Sequence, residues 1–364
     1  MGFFDKLFGK KEDKIQTNED FWNWFIANEQ TFFKVVKTSK NIEKDFFNQL
    51  STKLEKLQDG YFFLTGMFDD NTAELVLTPD GVLKNIVFVE ELVNSAPTIP
   101  NWKFTALKST LDIKNVAIRM ADYIFDSESL SFYAIENKNY PDEVNLVVAH
   151  NDYKENDKSI ITNGTYIFLD NYLGELNSIT TIDNLTVIPR NQAKDELIPI
   201  AKLKDYLIWR EKEFLEKYNG VRYNTENDSY SSLEATLSNG LPLVAIINTT
   251  LLDWDSKASH PWVLKVEIKY DGSKNNGMPN DETYKQLNIF EDEVMHELKD
   301  FEGYLNIGRQ TADSERIIYF ACKDFRKPSK VLESLTKKYS GKLDLIYDIY
   351  KDKYWQSFER FRSK

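Results

Sequence analysis

Between residues 262 and 350 the apolar period switches back and forth between two and 3.6, and this alternation constrains the fold more than any other feature of the chain. Residues 262–270 place Leu264, Val266, Ile268 and Tyr270 on one side and Lys265, Glu267 and Lys269 on the other, the pattern of a strand with one buried face. Residues 281–299 set Leu287, Phe290, Val294 and Leu298 at helical spacing. Residues 304–309 and 316–323 alternate again across Ala312-Asp-Ser-Glu315, which predicts a hairpin. Pro328 is placed to open a second helix at its first position, with Val331, Leu332, Leu335 and Tyr339 on its apolar side; Gly341 stops it, and residues 343–350 form a last strand. The order strand–helix–strand–strand–helix–strand predicts a ferredoxin-like βαββαβ sandwich. Residues 231–361 are its expected extent, with one further strand at 243–248.

The chain has 364 residues, enough for two domains of about 150 residues each. Residues 18–57 read as two helices, the first capped by Asn18 or Asp20 and running through Phe21-Trp-Asn-Trp-Phe25 to about residue 36. The second starts at Asn41, with Phe46, Phe47, Leu50 and Leu54 in register. Residues 61–66 and 73–78 form a predicted hairpin. A helix over 89–94 follows, then strands over 102–107, 117–125, 130–135 and 144–149, a helix over 160–176 and a strand over 180–188. The expected fold class is therefore α+β in two domains. An N-terminal domain over 18–190 carries helices and a mixed or antiparallel sheet, a linking helix spans 195–218, and the sandwich follows. Pro199 fits that helix only near its start. Residues 223–232, rich in Asn and Ser, are the expected mobile loop.

Composition excludes several chemistries. The formal charge of −12 repels a phosphate backbone, so no nucleic-acid partner is expected. Cys322 is the single cysteine and stands in an apolar strand pattern, which rules out an internal disulfide and a cysteine zinc site. His150, His260 and His296 fall on different predicted elements. His296-Glu297 has Asp300 where a zinc-binding HExxH motif needs its second histidine. No P-loop, GxGxxG or GxSxG motif is present. The loop 271–282 sets Asp271, Ser273, Asn275 and Glu282 at calcium-ligand positions but has Asn276 where the turn needs Gly; a polar loop between strand and helix accounts for it. Asp255 with Glu267-Ile-Lys269 has the outline of a metal-dependent nuclease core, but alternating charges on an exposed strand face account for it better. No metal and no cofactor is expected. With no apolar run long enough to cross a bilayer and no secretory leader pattern, the expected location is the cytoplasm. Residues 1–13 form an amphipathic segment in which Phe3, Phe4, Leu7 and Phe8 share a face, so membrane contact is expected only there, through residues 1–11.

The C-terminal half resembles the bacterial family called domain of unknown function 695. The matching pieces are Ser259-His-Pro-Trp-Val-Leu-Lys-Val-Glu267, Asn276-Gly-Met-Pro279, Phe290-Glu-Asp-Glu293, Asn306-Ile-Gly-Arg309 with Ile318-Tyr-Phe320, and Asp352-Lys-Tyr-Trp355. Their order and spacing carry the resemblance. In layout that family is similar to regulators that bind and inhibit a ribonuclease, which implies a binding fold and transfers no catalytic residue. Residues 60–190 resemble a second uncharacterised bacterial domain through Ser95-Ala-Pro-Thr-Ile-Pro-Asn-Trp-Lys-Phe104 and Leu169-Asp-Asn-Tyr-Leu-Gly-Glu175.

The expected function is a non-catalytic module that binds a protein or peptide. Arg309, Tyr319, Trp262 and Trp355 are the candidate binding residues, since arginine with aromatics makes interface anchors. In that reading Arg309 ends one strand and Tyr319 lies on its hairpin partner, which sets them side by side across the sheet. The competing account places the rings in the core and pairs Arg309 with a carboxylate such as Asp352. The rival functions are a hydrolase with a carboxylate site assembled in space and a peripheral membrane protein held by residues 1–11.

Overall fold

The computed structural model describes residues 15–362, so the segment 1–13 lies outside the described residues. The fold is α+β. Two compact units are present: the described residues up to Thr110 together with Gly174–Leu176, and Leu111–Leu173 together with Asn177 onward. Residues 195–218 belong to the second unit.

In the first unit, helix α1 (Asn18–Thr38) starts from Thr17 rather than from Asn18 or Asp20. The Thr17 hydroxyl accepts from the Asp20 amide while the Asp20 carboxylate accepts from the Thr17 amide, a capping box. A π-helical turn, Glu43–Phe47, leads into α2 (Asn48–Leu57). Strands β1 (Phe62–Met67) and β2 (Ala73–Thr78) pair antiparallel. Helix α3 (Ile86–Asn94) then returns the chain to β3 (Trp102–Ala106), parallel to β2. The core is aromatic: Trp22 and Phe25 meet Phe104 and Trp102 edge-on at 4.6 to 5.4 Å, the geometry ring quadrupoles favour.

The second unit opens with a hairpin, β4 (Ile118–Met120) and β5 (Tyr123–Phe125). One strand was expected over 117–125; Ala121, at φ 51°, breaks it. Strands β6 (Leu130–Ile135) and β7 (Asn145–His150) precede α4 (Lys158–Leu173), which Gly174, at φ 84°, ends three residues earlier than expected. Helix α5 (Glu175–Thr181), its start counted with the first unit, occupies the beginning of the strand expected at 180–188, so β8 runs only over Asn184–Pro189. Strand β9 (Ile198–Pro199) completes a sheet ordered β8-β7-β6-β9. Pro199 sits in this strand, pairing with Ser131, so helix α6 begins only at Leu203 and ends at Tyr218.

Strands β10 (Tyr230–Thr236) and β11 (Pro242–Asn248) follow, then the short helix α7 (Thr249–Leu252). Part of the expected loop 223–232 is thus strand. The chain continues as β12 (Trp262–Lys269), α8 (Asp281–Glu297), β13 (Tyr304–Ala312), β14 (Glu315–Cys322), α9 (Arg326–Tyr339) and β15 (Asp344–Lys351). Pro328 is the third residue of α9, not the first. The sheet order is β10-β11-β13-β14-β12-β15, antiparallel throughout. Leu264, Val266, Ile318 and Phe320 share the face covered by α8 and α9. Val263, Ile317, Tyr319 and Ala321 share the other with Trp355, Phe358 and Phe361 of the C-terminal turn.

Candidate functional site

The second unit carries an open groove of about 760 Å³. Helix α6 supplies one wall through Leu207, Arg210 and Phe214, residues three to four apart and therefore on one side, with Leu215 next to Phe214. The chain ends of β12, β14 and β15 supply the other, with Trp262, Lys323 and Lys351. Leu215 is 61% exposed although it is a large apolar side chain.

The groove's charges are mostly spent on one another. Asp183 bridges two buried lysines, with Lys351 Nζ 2.8 Å from one carboxylate oxygen and Lys353 Nζ 2.7 Å from the other. Lys351 also donates to the Thr180 carbonyl and Lys353 to the Asp142 carbonyl, both at 2.7 Å. Burial pushes the Lys351 ammonium down to about 8, more than the attraction of Asp183 restores. Asp142 accepts from Lys217 at 2.9 Å, from the Tyr218 hydroxyl at 2.7 Å and from the Tyr354 hydroxyl. Burial raises its pKa, but these donors outweigh that and leave it below the usual carboxylate value. Asp324 accepts from the Tyr304 hydroxyl at 2.6 Å and from the Arg326 amide at 2.8 Å.

A serine and a histidine meet at the rim without forming a nucleophilic pair. Ser259 Oγ lies 2.8 Å from His260 Nδ1, but it donates its proton to the Ser256 carbonyl at 2.6 Å. The imidazole is then the donor of the pair, the reverse of what an activated serine needs. Among the described residues its Nε2 is buried without a partner, and burial, with the charges of Lys323 and Arg222, holds the ring down to about 4.

The sequence-derived candidates fall in different places. Trp355 is buried and donates its indole N–H to the His260 carbonyl at 2.9 Å. Tyr319 packs on Phe358 and accepts from Arg360 at 2.8 Å. These two share one core cluster. Trp262, also buried, stands edge-on to Phe325 at 5.0 Å and contributes to the groove wall. Arg309 lies on the opposite face of the sheet from Tyr319: it pairs across the hairpin with Ile318, while Tyr319 pairs with Gly308. Its carboxylate is Glu291, at 2.9 Å, and not Asp352, which accepts from the backbone amides of Gln356 and Ser357.

Other residues converge that sequence reading did not single out: Lys351, Lys353 and Asp183 at the groove, and Arg316 beside Arg309. For Arg316 the signal was present, because an arginine two positions before Ile318 in an alternating strand must share its buried face. Among the described residues no group of three or more His, Cys, Asp or Glu is placed to hold a metal ion. Asp271, first of the calcium-like positions, instead accepts from Ser273. Burial pushes the Cys322 thiol well up. No described helix is long and apolar enough to cross a membrane.

A family model described as "Family of unknown function (DUF695)" matches residues 235–362. No curated protein and no solved structure matches the chain.

Proposed function

We propose that this protein is a non-catalytic, cytoplasmic binding module and that the groove between α6 and the ends of β12, β14 and β15 receives an apolar-sided segment of a partner polypeptide. The observation that carries this reading is the state of the groove's polar groups. Asp142, Asp183 and Asp324 already accept two or more hydrogen bonds or ion pairs each. A general acid near neutral pH needs a raised carboxyl pKa, and that of Asp142 is lowered. What the groove offers an incoming molecule is apolar surface from Leu207, Phe214, Leu215 and Trp262, rimmed by Arg222, Lys323, Glu211 and Glu216. Apolar centres with charged rims characterise protein-binding surfaces. The hydrolase reading requires an activated nucleophile or a carboxyl of raised pKa here; Ser259 gives its proton to the Ser256 carbonyl and the Asp142 carboxyl is lowered.

The test is capture from the native host's cytoplasm with a photo-reactive residue at position 215, beside a Leu215→Asp control. Position 215 is exposed, so neither change disturbs the core. The expected result is one stoichiometric protein, cross-linked from position 215 and lost with Leu215→Asp. Failure to capture any protein, together with hydrolase turnover removed by Asp324→Asn, would replace this reading with the enzymatic one.

A further inference from the structure

A second, smaller pocket of about 250 Å³ lies beside α8, on the helix-covered face of the six-stranded sheet. It shares no lining residue with the groove. The sheet register builds it. Ile246, Arg309 and Ile318 form one cross-strand row; Val244, Thr311 and Arg316 form the next. Val244, Ile246, Met278 and Pro279 make apolar walls. At their junction stand two guanidinium groups and one carboxylate.

Arg309 and Arg316 both lean on the same oxygen of Glu291, at 2.9 and 3.6 Å. The side chain of Arg316 is 1% exposed and that of Glu291 4%. Arg316 also gives its Nε proton to Thr311 and one Nη1 proton to Asn288, and its guanidinium lies 5.2 Å from the centre of the Tyr284 ring. Among the described residues neither arginine makes a hydrogen bond through Nη2. Among the described residues Glu291 is the one carboxylate that pairs with either guanidinium. Burial holds the Tyr270 phenol up to about 12, so it is neutral, and its hydroxyl donates to the Gly277 carbonyl. Glu234 ends the second row on exposed β10, three strands from Arg316 and about 14 Å away by strand spacing. Arginine cannot shed its proton in a protein. The pocket therefore holds one positive charge in excess, with unused planar donors, against apolar walls.

The geometry points to a binding site for a monocarboxylate that carries a short apolar group. The guanidinium fork matches a carboxylate in its own plane. One negative charge completes the balance, whereas a phosphate dianion would overshoot beside Glu291. The volume lies below the roughly 300–1,000 Å³ usual for larger ligands, which limits the occupant to a small acid or to the last residue of a polypeptide. Both sources present the same chemistry.

Calorimetric titration of the whole protein at low salt separates them. The probes are 3-methylbutanoate and its amide, and a pentapeptide ending in leucine with a free or an amidated C-terminus. At least one acid binds, and its amide binds at least about tenfold more weakly. A preference for the peptide identifies a chain end as the occupant; a preference for 3-methylbutanoate identifies a small acid. Arg309→Gln weakens the acid at least about tenfold, while Glu291→Gln, which removes the competing anion, tightens it. A purely structural arginine pair does not produce that tightening. If Arg309→Gln fails to fold, the acid–amide comparison on the unaltered protein still decides. Absence of binding by both acids at millimolar concentration overturns the assignment, as do equal affinities for acid and amide, or weakening by Glu291→Gln.

Discussion

His260 is a neutral ring held where a charged one does not fit. Only 1% of it is exposed, it stands 5.3 Å from Trp254, and Lys323 and Arg222 add like charge to the cost of protonating it. Its pKa of about 4 lies below the ordinary 6.5 that it regains on unfolding. Above pH 6.5 both states are neutral and the residue is silent. Between 6.5 and 4 the unfolded chain takes up a proton that the folded chain refuses, so stability falls as pH falls; below 4 the folded form titrates and the loss levels off. The full effect is about 3 kcal/mol. Carboxylates such as Asp142 and Asp300, held below their usual values, also lose stability on acidification, but in variant and parent alike. Unfolding free energies of the parent and of His260→Gln, followed from pH 7 to 4, should therefore converge as the pH drops. Parallel curves would show that the ring carries no such linkage.

A single irregularity of β13 decides which way Arg309 points. Asn306 pairs with Phe320 and Gly308 with Tyr319, so Ile307 and Gly308 together face one residue of β14, a bulge. Strict alternation would put Arg309 on the face of Leu305 and Ile307, which belong to the cluster around Trp355. The extra residue turns it to the other face, toward Glu291 and the small pocket. This is why strand and hairpin are legible here while Arg309 reads as a neighbour of Tyr319: the period of two says nothing about a skipped register. Gly308 was the available sign, since an isolated glycine in a strand marks a bulge or a close backbone approach. Both apply. Its φ of 135° suits glycine alone, and a Cβ there would collide with the Ile246 carbonyl oxygen and come within 2.9 Å of Ile247 Cα. Gly308→Ala should cost about 2–3 kcal/mol, read as a lower denaturant midpoint at unchanged slope. A midpoint unchanged within error would mean that β13 tolerates a regular register.

Across the whole chain, what was legible followed from distance along it. The order β12–α8–β13–β14–α9–β15 could be read because each element announces itself within its own residues. The end of α4 and the start of α6 were misplaced by single residues, Gly174 and Pro199, whose effect depends on what they meet. Least legible was the path of the chain, which leaves the first unit at Thr110 and contributes Gly174–Leu176 to it again. Glu175 marks that return. Fully buried, it accepts the Thr78 hydroxyl at 2.6 and 2.7 Å, the Lys108 amide at 3.1 Å and the Gly81 amide at 3.3 Å. These partners are 67 to 97 residues away in sequence, beyond any local pattern. A buried carboxylate surrounded by donors stabilises because it accepts from groups that burial has removed from water. Glu175→Ala in the whole chain should therefore withdraw that acceptor from all three, at a cost of about 3 kcal/mol, with Glu175→Gln milder because its carbonyl keeps one acceptor. The effect should be local before it is global: amide hydrogen exchange at Gly81 and Lys108 accelerates in Glu175→Ala, while amides of β12 and β14 keep the parent's rates under native conditions. Unchanged exchange at Gly81 and Lys108 would remove Glu175 from the forces that hold the first unit together. Faster exchange at those two alone would establish that three residues, reached only after a long excursion of the chain, complete it.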